Sequence, residues 1–265
     1  MAYVTRLRIS RATKENEAES DLTSSPVFSH FIRPCVCEFL GTTIYVFFSC
    51  LSVFVLNGSV RLVTSAFLQA FATVFLIILF GPISGGHFNP AVTIGTWIGG
   101  GIRFVLAIFY LICQFFGGFM GAVLVWLCLE HSLYLEILGG TTDLDRKLVT
   151  QGQGLLFELL VSSTLVLAYL LTAVDTNGAN IHATSVSLGL IVFLGTTASY
   201  RSTGASFNLA KTVGCAGGWA VFGPEYNLKY DYIYWISTVL CAILAAALYR
   251  LILASDENRI LFRRK

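Results

Sequence analysis

Ser84-Gly85-Gly86-His87-Phe88-Asn89-Pro90-Ala91-Val92 is answered near the other end of the chain by an altered copy, Thr203-Gly204-Ala205-Ser206-Phe207-Asn208-Leu209-Ala210-Lys211. Asn89 and Asn208 lie 119 positions apart in a chain of 265 residues, close to half its length. Each Asn precedes a helix-compatible run, 91–98 in the first copy and 210–219 in the second. Asn is a favoured helix cap and Pro a favoured first helical residue, so both copies read as helix starts. As a helix, the run 89–98 measures about 15 Å, about half of a hydrocarbon core. Such a segment enters a membrane without crossing it, and is tolerated there only where it is buried in protein or lines a wet cavity. Its amino end presents unpaired N–H groups and partial positive charge.

Composition independently places the chain in a bilayer. Hydrophobic residues make up 55% and charged residues 12%, with a mean hydropathy of +0.74, outside the range of ordinary soluble domains. The net charge of +2 is scattered rather than massed on a stripe, so no nucleic-acid partner is expected. The seven cysteines fall mostly in apolar runs without repeated zinc spacing; small buried hydrophobes are expected, and neither a metal nor a cofactor.

Residues 1–30 are polar, mixed in charge and without the apolar core of a signal peptide, which predicts a disordered tail. Apolar spans follow at about 35–56, 62–81, 104–129, 154–174, 183–200 and 232–254, and an even number puts both termini on one side. That side holds eleven of the seventeen Lys and Arg residues, which predicts cytoplasmic termini. The expected organisation is a channel-like domain over 31–255, with repeat one at about 31–130, repeat two at about 151–255, and a cytoplasmic tail over 256–265.

The repeat extends beyond the two Asn stretches. Glu38 precedes Asn89 by 51 residues and Glu158 precedes Asn208 by 50, each in the first span of its half. Three spans per half invert the second repeat relative to the first, and this places a site at the midplane between two broken helices whose amino ends face each other. The fold class is therefore all-α membrane protein, with six transmembrane helices and two re-entrant half-helices. Small residues mark close helix packing at Gly117 and Gly121, Ser185 and Gly189, and Ala242 and Ala246.

With Asn89-Pro90-Ala91, its counterpart Asn208-Leu209-Ala210, and the paired Glu38 and Glu158 in place, the chain resembles the aquaporin (major intrinsic protein) family over about 31–262. Residues 34–41, the Cys50-Leu51-Ser52-Val53 stretch, 83–92 and Tyr234-Trp235 look most like the aquaporin-eight branch. The resemblance implies a homotetramer with one pore per subunit, passing water, ammonia and hydrogen peroxide. It also implies a selectivity filter at four positions, which fall on Gln69, Thr196, Ala205 and Lys211 when counted from each Asn; a one-residue gap moves the second to Gly195 or Thr197.

The physics of such a pore needs no family. Two opposed amino ends each contribute about half a positive charge at one midplane point, which repels a cation. Asn89 and Asn208 can cap their helices through oxygen and turn NH2 donors into the lumen, orienting water so that a proton wire is interrupted. Glu38 and Glu158 read either as acid–base groups or, more simply, as acceptors that hold the re-entrant backbone. His87 reads as a pH sensor at the inner mouth or as a hydrogen-bonded loop histidine. Cys215, two turns beyond Asn208, is expected to pack against a neighbouring span, with Cys50 as an alternative thiol site if it faces the inner vestibule. Asn57-Gly58-Ser59 is a glycosylation sequon on the predicted outer face.

Two other classes stand beside the channel: a non-conducting adhesion or assembly member of the family, and an intramembrane serine protease built on Ser206, which requires a histidine base. Two departures from the family pattern matter most. Leu209 stands where the second motif carries Pro, and is expected to reshape the constriction. Lys211 stands where the family carries Arg, replacing a rigid fork of donors by a compact charge on a flexible stem, which predicts a looser filter. In the sixth span, Ser237-Thr238 replaces Gly-Pro and should leave the helix straight.

Overall fold

The computed structural model describes residues 26–53, 59–224 and 229–261. Nine helices and a 3-10 turn at Leu138–Gly140 are formed among them, six of the helices long and apolar enough to cross a membrane: α1 (Phe28–Leu51), α2 (Ser59–Ser84), α4 (Phe104–Cys128), α6 (Gln151–Val174), α7 (Ile181–Thr203) and α9 (Tyr232–Leu253). α3 (Pro90–Gly99) and α8 (Leu209–Phe222) are the half-helices, and α5 (His131–Glu136) is a short turn of helix in the loop after α4.

The first spanning helix begins at Phe28, inside the stretch read as tail, and ends at Leu51, short of the expected 56. Near the start of this helix Pro34 has no N–H to donate one turn back. A π turn at Phe28–Ile32, in which the Arg33 N–H bonds Phe28 O, carries the helix through this region. The sequon at Asn57 lies outside the described residues. At the other end, residues 255–260 are not a free tail. Ile260 N–H bonds Arg250 O, and Asp175, in the α6–α7 loop, accepts from the Tyr249 hydroxyl, the Ser255 N–H and hydroxyl, and the Asn258 amide.

Within each half the first and last spanning helices pack together, α1 on α4 and α6 on α9, while α2 packs on α7 across the two halves. The half-helices are exchanged: α8 of the second half lies on α4, and α3 of the first lies on α9. Small residues allow these approaches. A Cβ on Gly121 would meet Thr43 O at 2.7 Å, and one on Gly189 would meet Ala70 O at 3.1 Å. The α4–α8 crossing depends on Gly118 and Gly214, whose backbones touch, although only Gly117 and Gly121 stood out in the α4 sequence. α9 runs without a break through Ser237-Thr238, where the Ser237 hydroxyl bonds back to Tyr234 O.

Candidate functional site

Both re-entrant loops are held by a glutamate that accepts from one hydroxyl and two backbone N–H groups, with a side-chain amide added in the first. Glu38 accepts from the Ser84 hydroxyl (2.7 Å), the His87 N–H (3.0 Å), the Phe88 N–H (2.7 Å) and Gln114 Nε2 (2.8 Å). Glu158 accepts from the Thr203 hydroxyl (2.6 Å), the Ser206 N–H (3.1 Å) and the Phe207 N–H (2.9 Å). Tyr110 donates to Ser84 O and Tyr234 to Thr203 O, at 2.8 and 2.6 Å. The backbone repeats too: Gly85 and Gly204 have φ of +89° and +71°, and Phe88 and Phe207 have +47° and +50°. Ala205 holds φ +51° where the first loop has Gly86 at +70°, so a side chain occupies a conformation that normally favours glycine.

The loops deliver Asn89 and Asn208 to the centre, each capping its half-helix. Asn89 Oδ1 accepts from Ala91 N–H at 2.9 Å, and Asn208 Oδ1 from the N–H groups of Ala210 (3.0 Å) and Lys211 (3.4 Å). The amide ends differ from the expectation that both donors face the lumen. Asn89 Nδ2 donates across to Phe207 O at 2.7 Å and Asn208 Nδ2 to Phe88 O at 2.8 Å. One donor of each amide ties the two loops together, and one remains.

A narrow cavity of about 30 Å³ lies here, lined among others by Asn89, Asn208, Tyr45, Thr73, Val192 and His87. At about 10–15 Å³ for each water so measured, it holds about two waters. On the side of the termini it opens past His87 into a vestibule of about 700 Å³. His87 is buried, its Nδ1 lies 3.0 Å from the Thr93 hydroxyl, and it packs edge-on to Tyr110 and Tyr169. Its counterpart in the second loop is Ser206, whose hydroxyl contacts Thr212 and bonds Asn208 O. The Ser206 hydroxyl thus makes its hydrogen bonds within its own loop and half-helix.

On the remote side a second vestibule, of about 360 Å³, is lined by Gln69, Lys211, Arg61, Tyr200, Gly204 and Asp143 among others. Lys211 is buried, and its Nζ donates to Gln69 Oε1 at 3.2 Å and to Ala205 O at 3.4 Å. Three of the four positions expected to form a filter are therefore brought together, but Thr196 is not bonded to them. It is buried with a hydroxyl that has no partner, and the α7 side of this vestibule is made by Tyr200, one turn further along, and by Gly204. Tyr200 and Arg61 carried no signal in the sequence, because only the tertiary fold sets their helix faces toward Lys211.

Two further expectations change. Leu209 does not face the lumen: it packs with Leu144, Ile233 and Tyr234, since the first residue of α8 points into the junction between α9 and the loop before α6. Cys50 does not face the vestibule on the side of the termini. It lies fully buried at the remote end of α1, with its Sγ 3.3 Å from Cys215 Sγ, so Cys215 packs against α1. Among the described residues no cluster of three or more His, Cys, Asp or Glu is arranged to hold a metal.

The chain is 28% identical to "Aquaporin-8" of Mus musculus over 239 residues, covering 89% of this chain and 88% of that protein. It is 30% identical to "Aquaporin-8" of Notomys alexis over 241 residues, with the same coverage. Its fold matches the X-ray structure of the aquaglyceroporin from Plasmodium falciparum with a TM-score of 0.69 at 21% identity, over 82% of this chain and 95% of the other. The family model described as "MIP: Major intrinsic protein" matches residues 26–249. With its six apolar helices, this chain is an integral multi-pass membrane protein that belongs to the major intrinsic protein family, in its aquaporin-8 branch.

Proposed function

We infer that the protein is a passive channel for water and small neutral solutes, ammonia and hydrogen peroxide among them, that excludes protons and metal cations. The observation that carries this reading is the facing pair of capped half-helices around a cavity wide enough for about two waters. Positive helix ends repel a cation at that point. The one remaining donor on each Asn amide orients a water oxygen toward the centre, which breaks a hydrogen-bonded proton path. The lipid-facing surface and the family relationship support a homotetramer in the bilayer with cytoplasmic termini. The relatives named aquaporin-8 support water as a solute.

The test is stopped-flow permeability of proteoliposomes to water, ammonia, peroxide and glycerol, with sodium and proton leak measured on the same vesicles. Fast, cation-tight water flux is expected; a protein at full density that conducts none of the four overturns the reading in favour of a non-conducting member. Asn89→Asp sets a carboxylate between the two helix ends and removes the donor to Phe207 O. It is expected to admit sodium in planar bilayers, and a variant that folds and stays as cation-tight as the parent contradicts the field argument.

A further inference from the structure

Behind Gln69, between α1 and α2, lies a buried chain of hydroxyls whose direction can be read proton by proton. Ser52 Oγ donates to the Ser49 carbonyl at 2.6 Å. A hydroxyl has one proton to give, so at the 2.8 Å contact between Ser52 and Ser65 the donor is Ser65. The Ser65 proton is then committed as well. Both oxygens remain acceptors for Gln69 Nε2, at 3.4 Å from Ser52 and 3.2 Å from Ser65. This leaves Gln69 Oε1 for Lys211 Nζ. A flipped carboxamide would set its oxygen against two hydroxyls with no hydrogen to offer, and its NH2 against an ammonium. Ser52, Ser65 and Gln69 are 1%, 0% and 1% exposed, so the mismatch at the two hydroxyls would have no water to repair it.

We propose that Ser52 and Ser65 are positioning residues for selectivity: through Gln69 they aim one oxygen at Lys211 and hold its ammonium folded against the α2 wall of the remote vestibule. The proposal rests on the reading of this line of cavities as a pore. An ammonium has three donors; Gln69 and Ala205 engage two, and the third is left for a solute that can accept. Loss of the hydroxyls frees the carboxamide to rotate and the lysine to extend into the path.

The test compares the parent with Ser65→Ala and Ser65→Thr, each in the native and the Gln69→Leu background, at equal protein density in proteoliposomes. Two readouts are taken: the ratio of sodium leak to water permeability, and the rate at which a water-soluble acetylating N-hydroxysuccinimide ester modifies Lys211. Peptide mass spectrometry follows the second, with the exposed Lys147 and Lys229 as references. Ser65→Ala is expected to raise Lys211 labelling roughly tenfold, the shift that loss of one charge-assisted hydrogen bond produces, and to change the leak ratio. Ser65→Thr, which keeps the hydroxyl, should behave as the parent, and Ser65→Ala should add nothing once Gln69 is Leu. Unchanged labelling in Ser65→Ala, or the same change in both backgrounds, overturns the relay. Absence of all conduction with the labelling pattern intact overturns the pore reading alone.

Discussion

A carboxylate inside an apolar bundle is tolerated only when its oxygens are fully bonded, and Glu38 meets that condition with four donors from three segments of chain. Its bonding explains the arrangement better than an acid–base role, since each donor belongs to the re-entrant loop, its flanks or the neighbouring α4. Removing the side chain leaves two backbone N–H groups and a hydroxyl buried without acceptors, at about 1–3 kcal/mol each, while the Gln114 amide keeps only its bond to the Thr93 hydroxyl. Glu38→Leu is therefore expected to abolish accumulation of folded protein in the membrane. Glu38→Gln, which keeps one acceptor oxygen, should lower thermal stability by about 2–4 kcal/mol, and Glu158→Gln, with three donors, by less. Melting of the detergent-solubilised proteins checks the order, and equal stability of Glu38→Gln and the parent would contradict it. Both glutamates were legible in the sequence because a charge inside an apolar span is rare and needs a reason. Lys211 was legible by its distance from Asn208, but its tether to Gln69 was not, because the two lie 142 positions apart.

At the scale of the element, each half-helix needs a start, and the two start differently. α3 has Pro90 at its first position and α8 has Leu209. Pro at that position loses no helical bond, because the N–H there has no partner within the helix. What Leu209 contributes is its side chain, packed with Leu144, Ile233 and Tyr234. Leu209→Pro is expected to leave solute selectivity unchanged while costing about 1–3 kcal/mol from the lost apolar contact. Selectivity ratios and thermal melting measured on the same preparation separate the two effects, and a changed ratio at unchanged stability would return Leu209 to the lumen wall. The existence of α3 and α8 was readable from cap, length and repetition. The extension of α8 to Phe222, beyond the expected end at 219, was not, because the helix continues through Trp219, which stacks on Tyr134 of α5, and Phe222, which stacks on Trp126 of α4.

For the whole molecule, the chain's end closes onto its middle at Asp175. Burial alone pushes this carboxyl up, but the Ser255 N–H, the Asn258 amide and the Ser255 and Tyr249 hydroxyls together outweigh it and hold the group below its ordinary value. A depressed carboxylate contributes stability above its unfolded pKa, about 3.9, and loses it as pH falls through the still lower folded value. Amide-exchange protection of residues 254–260 is thus expected to persist from neutral pH to about 4 and to fall below that, whereas Asp175→Asn should show weaker protection with little dependence on pH. Protection that fades already between pH 7 and 5 would contradict the latch. The sequence by itself determined the spans, the two half-helices, their Asn caps and the paired glutamates, because each follows from local hydrophobicity, capping chemistry or a repeat spacing. Only the tertiary structure decided which donors of Asn89 and Asn208 cross between the loops, that Tyr200 rather than Thr196 lines the vestibule with Lys211, that Leu209 turns away from the lumen, and that Cys50 meets Cys215. Each of these is a contact between segments far apart in the chain, set by the rotation of packed helices about their own axes, and a helix's rotation in a bundle apolar on nearly every face leaves no periodic mark in its sequence.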